Sequence, residues 1–111
     1  MRIILIFLLL VSVQGVFEPT CDCACDDLDR DKLGQSTWYL LHEIVNHVPP
    51  NEHFEPFMKA LSHLYPCAEC RKHIGYYLSH NNVTMTKQWV CEFHNDVNVR
   101  LGKQKFDCTT V

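Results

Sequence analysis

The sequence predicts an all-α domain, a four-helix up-and-down bundle that ends in a short C-terminal tail or fifth helix. Apolar residues recur at helical spacing over most of residues 33–101, and no segment forms a convincing strand. Breaks that contain proline or asparagine divide this pattern into four parts. The 111 residues suffice for one small domain.

A pair of prolines separates the first two predicted helices. The first helix is expected from Leu33 to Val48, because Pro49 cannot continue it. The second is expected over about residues 52–65, where large apolar side chains repeat on one face. Each helix is therefore predicted to bury one face in the bundle.

The last two predicted helices carry three of the four cysteines of the folded domain. The third begins at Cys67, since the preceding Pro66 is well tolerated near a helix start, and it breaks at residues 79–82. The fourth begins near Thr86, a favourable N-cap, and ends at Gly102, the expected C′ residue.

The N-terminus is expected to lie outside the domain. Arg2, an apolar run over residues 3–11 and small residues up to Gly15 are typical of a secretory signal peptide over residues 1–15. The run is about half of the roughly 20 residues that span a bilayer, although an uncleaved anchor is the alternative. All seven cysteines follow it, so the endoplasmic reticulum lumen or secretion is predicted.

Residues 16–31 are predicted to form an acidic, flexible arm that precedes the domain at 32–111. The arm contains Cys21, Cys23 and Cys25, which suit a structural or an intersubunit disulfide. The net charge of −3 argues against nucleic acid or an anionic membrane as a partner. Asn82 begins an Asn-Val-Thr sequon and is a candidate glycosylation site.

Two cysteine pairs lie within the predicted domain. Cys67 and Cys70, on the first turn of a helix, suit a reactive disulfide, because the helix N-terminus favours the thiolate. The same spacing occurs in zinc knuckles. Cys91 and Cys108 are separated by 16 residues, and a disulfide between them would hold the tail on the fourth helix with about 3 kcal/mol of stabilisation.

Polar side chains share one face of the fourth predicted helix. Cys91, His94, Asn95 and Asn98 lie at i, i+3, i+4 and i+7, which indicates either a buried polar ligand or a solvated face. The spacing also matches a zinc site of three cysteines and one histidine, formed by Cys67, Cys70, Cys91 and His94. On the first helix, Trp38 and His42 lie at i and i+4, a pair that suits core packing or a cofactor platform.

These blocks together resemble the flavin-linked sulfhydryl oxidases of the augmenter-of-liver-regeneration (ALR/Erv) family. The matching segments are residues 33–42, which end in Trp38-Tyr39-Leu40-Leu41-His42, then 64–70 around the Cys67 pair, 94–103, and 106–108. They occur in one order across nearly the whole predicted domain.

The resemblance implies an FAD-dependent thiol oxidase, usually a homodimer, that forms disulfides in protein substrates and reduces O2 to H2O2. It implies that Cys67 exchanges with the incoming thiol, that Cys70 lies next to the flavin, and that the arm cysteines relay electrons to this pair. The implied FAD-binding residues are Gly34, Trp38, His42, Tyr65, Cys91, His94, Asn95, Val97, Asn98, Lys103, Lys105 and Phe106.

The sequence departs from the family pattern at two places. Gln35 stands where the family usually has arginine, and the family's chain generally continues beyond the position of Val111. A zinc module and a secreted, disulfide-stapled helical binding protein without catalysis are the alternatives. No metal site is assigned, and no membrane span is expected once the signal is cleaved.

Overall fold

The computed structural model describes residues 27–111, which contain four α-helices and no strand. The helices are α1 (Arg30–His47), α2 (Phe54–Leu64), α3 (Ala68–His80) and α4 (Lys87–Arg100), and a short 3-10 helix spans Cys108–Thr110. The predicted all-α class is confirmed for this part of the chain. The predicted signal peptide and the arm cysteines lie outside the described residues.

Helix α1 begins earlier than the sequence predicted. Asp29 is its N-cap, and the Asp29 side chain accepts a hydrogen bond from the Lys32 backbone N–H at 3.0 Å. The prediction placed the helix start at Leu33 because apolar spacing begins there. The cap satisfies a backbone donor and extends the helix into the acidic segment assigned to the arm.

The connection between α1 and α2 and the connection between α2 and α3 are short. Val48 caps α1, and Asn51 accepts a hydrogen bond from the His53 backbone N–H at 2.9 Å just before α2. Tyr65 ends α2 in an extended conformation. Cys67 then caps α3, so only a few residues separate α2 from the dithiol.

Helix α4 has the two ends that the sequence predicted. The Thr86 hydroxyl accepts a hydrogen bond from the Trp89 backbone N–H at 3.0 Å. At the other end Gly102 adopts a φ of +76°, a conformation that side chains with a Cβ disfavour. The Gly102 N–H bonds to the Val99 carbonyl at 3.1 Å and the Lys103 N–H to the Asn98 carbonyl at 2.7 Å, which is a Schellman motif.

The core lies where α1 packs on α4 and α2 packs on α3. Aromatic rings join the two pairs, because Tyr77 of α3 stacks on Phe93 of α4 with ring centroids 4.5 Å apart. Burying such side chains supplies most of the stability of a small domain. The buried core residues are Leu41, Phe54, Met58, Ile74, Tyr77, Trp89, Val90 and Phe93.

No helix within residues 27–111 is long and apolar enough to cross a membrane.

Loss of the α4 cap gives a first testable prediction. We expect Thr86→Ala to lower the free energy of unfolding by about 1 kcal/mol, because the Trp89 N–H loses its acceptor. Thr86→Ser retains the acceptor oxygen and is the matched control. Urea unfolding of both variants is the measurement, and equal stability of the alanine and serine variants would contradict the cap assignment.

Candidate redox site at the start of helix α3

A cavity of about 680 Å³ lies among the four helices and reaches the first turn of α3. Its size falls in the range of small-molecule and cofactor sites. Helix α1 contributes Gly34, Trp38 and His42 to its walls, and a β-carbon built on Gly34 meets no atom within 4 Å. The walls also include Arg30, Gln35, Thr37, Leu61, Tyr65, Cys67, Cys70, His73, Phe93, His94, Val97, Asn98, Arg100 and Lys103.

Cys67 and Cys70 form a disulfide on the wall of this cavity. Their α-carbons are 5.1 Å apart, and the Cys67 sulfur accepts a hydrogen bond from the Cys70 backbone N–H at 3.2 Å. Cys67 is the N-cap of α3. The N–H donor and the positive end of the helix both favour a thiolate at Cys67 in the reduced state.

The two cysteines differ in exposure. Cys67 has 0% of its surface exposed, whereas Cys70 is partly exposed. The sequence interpretation gave Cys67 the role of meeting the incoming thiol, which requires an accessible sulfur. In the described conformation, attack at Cys67 needs movement of the side chains that cover it.

The turn before the dithiol is fixed by side-chain contacts. The Tyr65 hydroxyl lies 3.0 Å from the Thr37 hydroxyl oxygen on α1, and the Arg71 guanidinium donates to the Tyr65 carbonyl. Tyr65 is thereby held at the cavity wall beside Cys67. The sequence interpretation missed Thr37, which only its helical spacing next to Trp38 could have indicated.

Aromatic rings from α1 and α4 form a platform in the cavity. Trp38 stacks on His94 with ring centroids 4.2 Å apart and an interplanar angle of 7°. His42 Nε2 lies 3.1 Å from His94 Nδ1, so one ring donates and the other accepts. The predicted pairing of Trp38 with His42 is looser, since their centroids are 6.4 Å apart.

Burial favours the neutral form of both imidazoles. Burial, aided by His42 and Lys103, lowers the pKa of His94 to about 4. Burial also lowers the pKa of His42, against the raising effect of Glu43. A neutral pair makes one N–H···N hydrogen bond without charge repulsion, and its rings suit stacking against a planar group.

The depressed pKa of His94 predicts a loss of stability in mild acid. An unfolded histidine binds a proton near pH 6.5, whereas folded His94 does so near 4, so stability falls as the pH drops from 6.5 to 4. For this partly exposed ring we expect about 1–2 kcal/mol, less than the full shift implies.

Urea unfolding of the ligand-free chain at about pH 7 and at about pH 4.5 tests this expectation. His94→Gln is expected to reduce the difference between the two pH values by that amount. His63→Gln, which alters an exposed histidine in the last turn of α2, is the control. An unchanged pH dependence in His94→Gln would contradict the assignment.

Positive side chains also reach the cavity. Arg30, Arg100 and Lys103 lie on its walls, and Arg100 bonds to Asp96 at 3.1 Å while Arg30 lies 3.8 Å from Glu69. The combination of aromatic rings and cationic groups along the cavity suits a ligand with a planar ring and anionic groups. The residues present therefore fit a flavin nucleotide. Arg30 was not predicted, because it lies in the segment assigned to the arm.

Some residues that the resemblance assigned to FAD do not line this cavity. Asn95, Lys105 and Phe106 line a neighbouring depression of about 510 Å³ instead, and Cys91 is buried in a disulfide. The predicted contact of Asn95 with FAD stays a prediction. In this structure its amide accepts from the Phe106 N–H at 2.7 Å and donates to the Phe106 carbonyl at 2.8 Å, so the side chain is paired with the tail.

Cys91 and Cys108 form the second disulfide, with α-carbons 5.8 Å apart. It joins α4 to the 3-10 helix of the tail, as the sequence favoured. Since Cys91 is bonded to Cys108 and Cys67 to Cys70, the four residues of the zinc alternative are not assembled into one site.

Known proteins are similar to this chain over the domain that contains this site. Residues 35–111 match the Erv1/Alr family. The chain is 36% identical over 94 residues to the mitochondrial FAD-linked sulfhydryl oxidase ERV1 of Saccharomyces cerevisiae, covering 75% of this chain and 50% of that protein. It is 35% identical over 101 residues to the FAD-linked sulfhydryl oxidase ERV1 of Oryza sativa subsp. japonica, covering 81% and 52%. The chain thus spans about half the length of these relatives.

Solved structures show the same fold. The crystal structure of the FAD binding domain of Erv1 from Saccharomyces cerevisiae aligns with a TM-score of 0.65 at 34% identity, over 74% of this chain and 89% of that one. The crystal structure of the yeast Erv1 core gives a TM-score of 0.66 at 34% identity, over 74% and 79%. Sequence and fold agree, and the chain belongs to the Erv1/Alr family.

Proposed function

We infer that this chain is an FAD-dependent thiol oxidase that joins two thiols into a disulfide and reduces O2 to H2O2. The observation that carries this proposal is the position of the Cys67–Cys70 disulfide on the wall of a cavity that also holds the Trp38–His94 platform. A dithiol beside a site for a planar ring is the arrangement that electron transfer from sulfur to a flavin requires.

FAD would lie in the cavity against residues of α1 and α4. Its planar parts would pack near Trp38, His42 and His94, and its phosphates suit the cationic groups, among them Lys103. Tyr65 and Cys70 belong to the same wall. The chemistry that FAD supplies when bound is acceptance of an electron pair and its delivery to O2.

The cysteines perform the thiol–disulfide exchange. A substrate thiolate attacks the Cys67 sulfur, the Cys67–Cys70 bond breaks, and Cys70 leaves as a thiolate. A second substrate thiolate then attacks the mixed disulfide, which releases Cys67 and the oxidised substrate. Two substrate thiols lose two electrons and two protons, and the enzyme holds the electron pair as its reduced dithiol. The N-terminal end of α3 stabilises Cys67 as the leaving thiolate of the second step.

Protein thiols are the proposed substrates, with Cys21, Cys23 and Cys25 as a relay. Support comes from the sequence, which places three cysteines on the segment just before α1. Replacement of all three by serine is expected to slow oxidation of a reduced protein while oxidation of dithiothreitol is retained. Unchanged oxidation of the protein substrate would exclude the relay.

The proposed location is the secretory pathway, in the endoplasmic reticulum lumen or outside the cell. Residues 1–15 support this location, whereas the matched Saccharomyces cerevisiae ERV1 is named mitochondrial. Glycosylation of Asn82, which is exposed between α3 and α4, would accompany it. N-terminal sequencing and glycosidase treatment of the protein from eukaryotic cells test both points, and recovery from mitochondria would contradict them.

A homodimer is proposed as the working unit. Exposed large apolar side chains offer a contact area, among them Leu40 on α1 and Leu64 at the end of α2. Light scattering at micromolar concentration tests this point, and a monomer mass across the concentration range would contradict it.

Two measurements on the purified chain test the activity. A visible flavin absorption band is expected after incubation with FAD and removal of the excess. Oxygen uptake with dithiothreitol is expected, with one H2O2 formed for each O2 consumed. A folded chain that stays colourless in excess FAD would overturn the proposed function.

A further inference from the structure

We propose that Asn95 is a positioning residue of the cavity, which acts through Phe106 on His94 and touches no bound ligand itself. This inference rests on the proposed function, because FAD is the ligand by which it is tested. It assigns to Asn95 a role different from direct cofactor contact, and it explains why a buried amide lies beside the site.

The Asn95 side chain is paired with the tail. Asn95 is 7% exposed, and its side chain exchanges two hydrogen bonds with the backbone of Phe106. Its Nδ2 also lies 3.1 Å from the Cys108 sulfur. One buried amide therefore fixes both backbone groups of a single tail residue, and removing it would leave those groups without their partner.

The Phe106 ring is weakly packed. Phe106 is 57% exposed, so burial contributes little to holding its side chain in place. The ring nevertheless lies against His94, with centroids 5.1 Å apart. The backbone hydrogen bonds to Asn95 therefore keep the ring of Phe106 beside His94.

His94 connects Phe106 to the other rings of the cavity. Trp38 stacks on His94, and His42 bonds to it at 3.1 Å. His94 thus has contacts with Trp38, His42 and Phe106, and Phe106 belongs to the tail. Without the Asn95 bonds, the Phe106 segment would be loosened between the Asn98–Gln104 hydrogen bond and the Cys91–Cys108 disulfide, and the imidazole could then change its orientation. A platform that must be ordered on binding gives a weaker complex.

A double-mutant cycle on the full chain tests this route. FAD affinity is measured by titrating the ligand-free protein and following flavin fluorescence, and urea unfolding is measured in parallel. Asn95→Ala is expected to raise the Kd for FAD about tenfold, the scale of one well-made interaction. Phe106→Ala is expected to raise it similarly.

The decisive variant combines both changes. In the Phe106→Ala background, Asn95→Ala is expected to raise the Kd by less than about twofold, because the ring through which it acts is gone. Its effect on unfolding should persist, since the amide bonds to the backbone of residue 106. A direct contact of Asn95 with FAD would instead give the same tenfold effect in both backgrounds.

Two further variants complete the test. Asn81→Ala removes an amide that donates to the Tyr77 carbonyl at 3.0 Å, away from the cavity, and should lower stability without changing the Kd. If Asn95→Ala fails to fold, Asn95→Asp retains the acceptor for the Phe106 N–H and takes its place in the cycle. Additive effects on the Kd would overturn the positioning role alone. Absence of FAD binding by the wild-type chain would overturn the proposed function as well.

Discussion

Replacement of either Cys67 or Cys70, the α3 pair, is expected to abolish thiol oxidation. Cys67→Ser and Cys70→Ser each remove one sulfur of the Cys67–Cys70 disulfide, and serine cannot form the mixed disulfide or return to the oxidised pair. We expect O2 uptake with dithiothreitol to fall at least about a thousandfold, as for loss of a nucleophile. The flavin absorption band should remain, because other cavity residues hold the ring.

The same two variants separate the roles of the sulfurs. If Cys67 meets the substrate, the Cys67 thiolate of Cys70→Ser should attack a peptide supplied as its symmetrical disulfide, release one peptide thiolate and retain the other peptide as a mixed disulfide, and Cys67→Ser should not accumulate this species. Intact-protein mass spectrometry under non-reducing conditions makes the comparison. Trapping on Cys70 alone would reverse the proposed order, an outcome that the complete burial of Cys67 makes worth testing.

Two serine substitutions outside the α3 pair provide the control for activity. Combined Cys91→Ser and Cys108→Ser is expected to keep most of the turnover per folded molecule at low temperature, since neither sulfur lines the cavity. Retention of activity in Cys67→Ser, with the double variant as reference, would show that the α3 pair is not the redox centre.

Helix ends were the most predictable part of the fold. Thr86 and Gly102 act through local rules, one as a side-chain acceptor and one as a residue free to adopt positive φ, so the sequence indicated both ends of α4. The start of α1 was missed because Asp29 lies among other acidic residues, and composition alone does not show which of them caps a helix.

The residues of the cavity were predictable where helical spacing brings them together. Trp38 and His42 repeat on one face of α1, and His94 follows from the matching block on α4. The stacking of Trp38 on His94 depends on how α1 packs against α4, which no local pattern specifies. The hydrogen bonds between Asn95 and the tail depend on the reversal of the chain at Gly102. This reversal brings the Phe106 backbone to the polar face of α4.

Removal of the tail disulfide is expected to have the largest effect on stability. Cys91 and Cys108 are 17 positions apart, and a loop of this length restricts the unfolded chain by about 3 kcal/mol in the entropic account. For a domain of this size, that loss lowers the melting temperature by about 12–24 °C. Thermal unfolding of the double serine variant followed by circular dichroism measures it.

The α3 pair offers a matched comparison within the same chain. Cys67 and Cys70 are three positions apart, so the same relation gives only about half the stabilisation. Because Asn95 still bonds to Phe106 without the tail disulfide, the native tail keeps an anchor and the larger loss should come from the unfolded state. Equal losses for the two double serine variants would mean that native contacts, and not loop length, set the contribution of each disulfide.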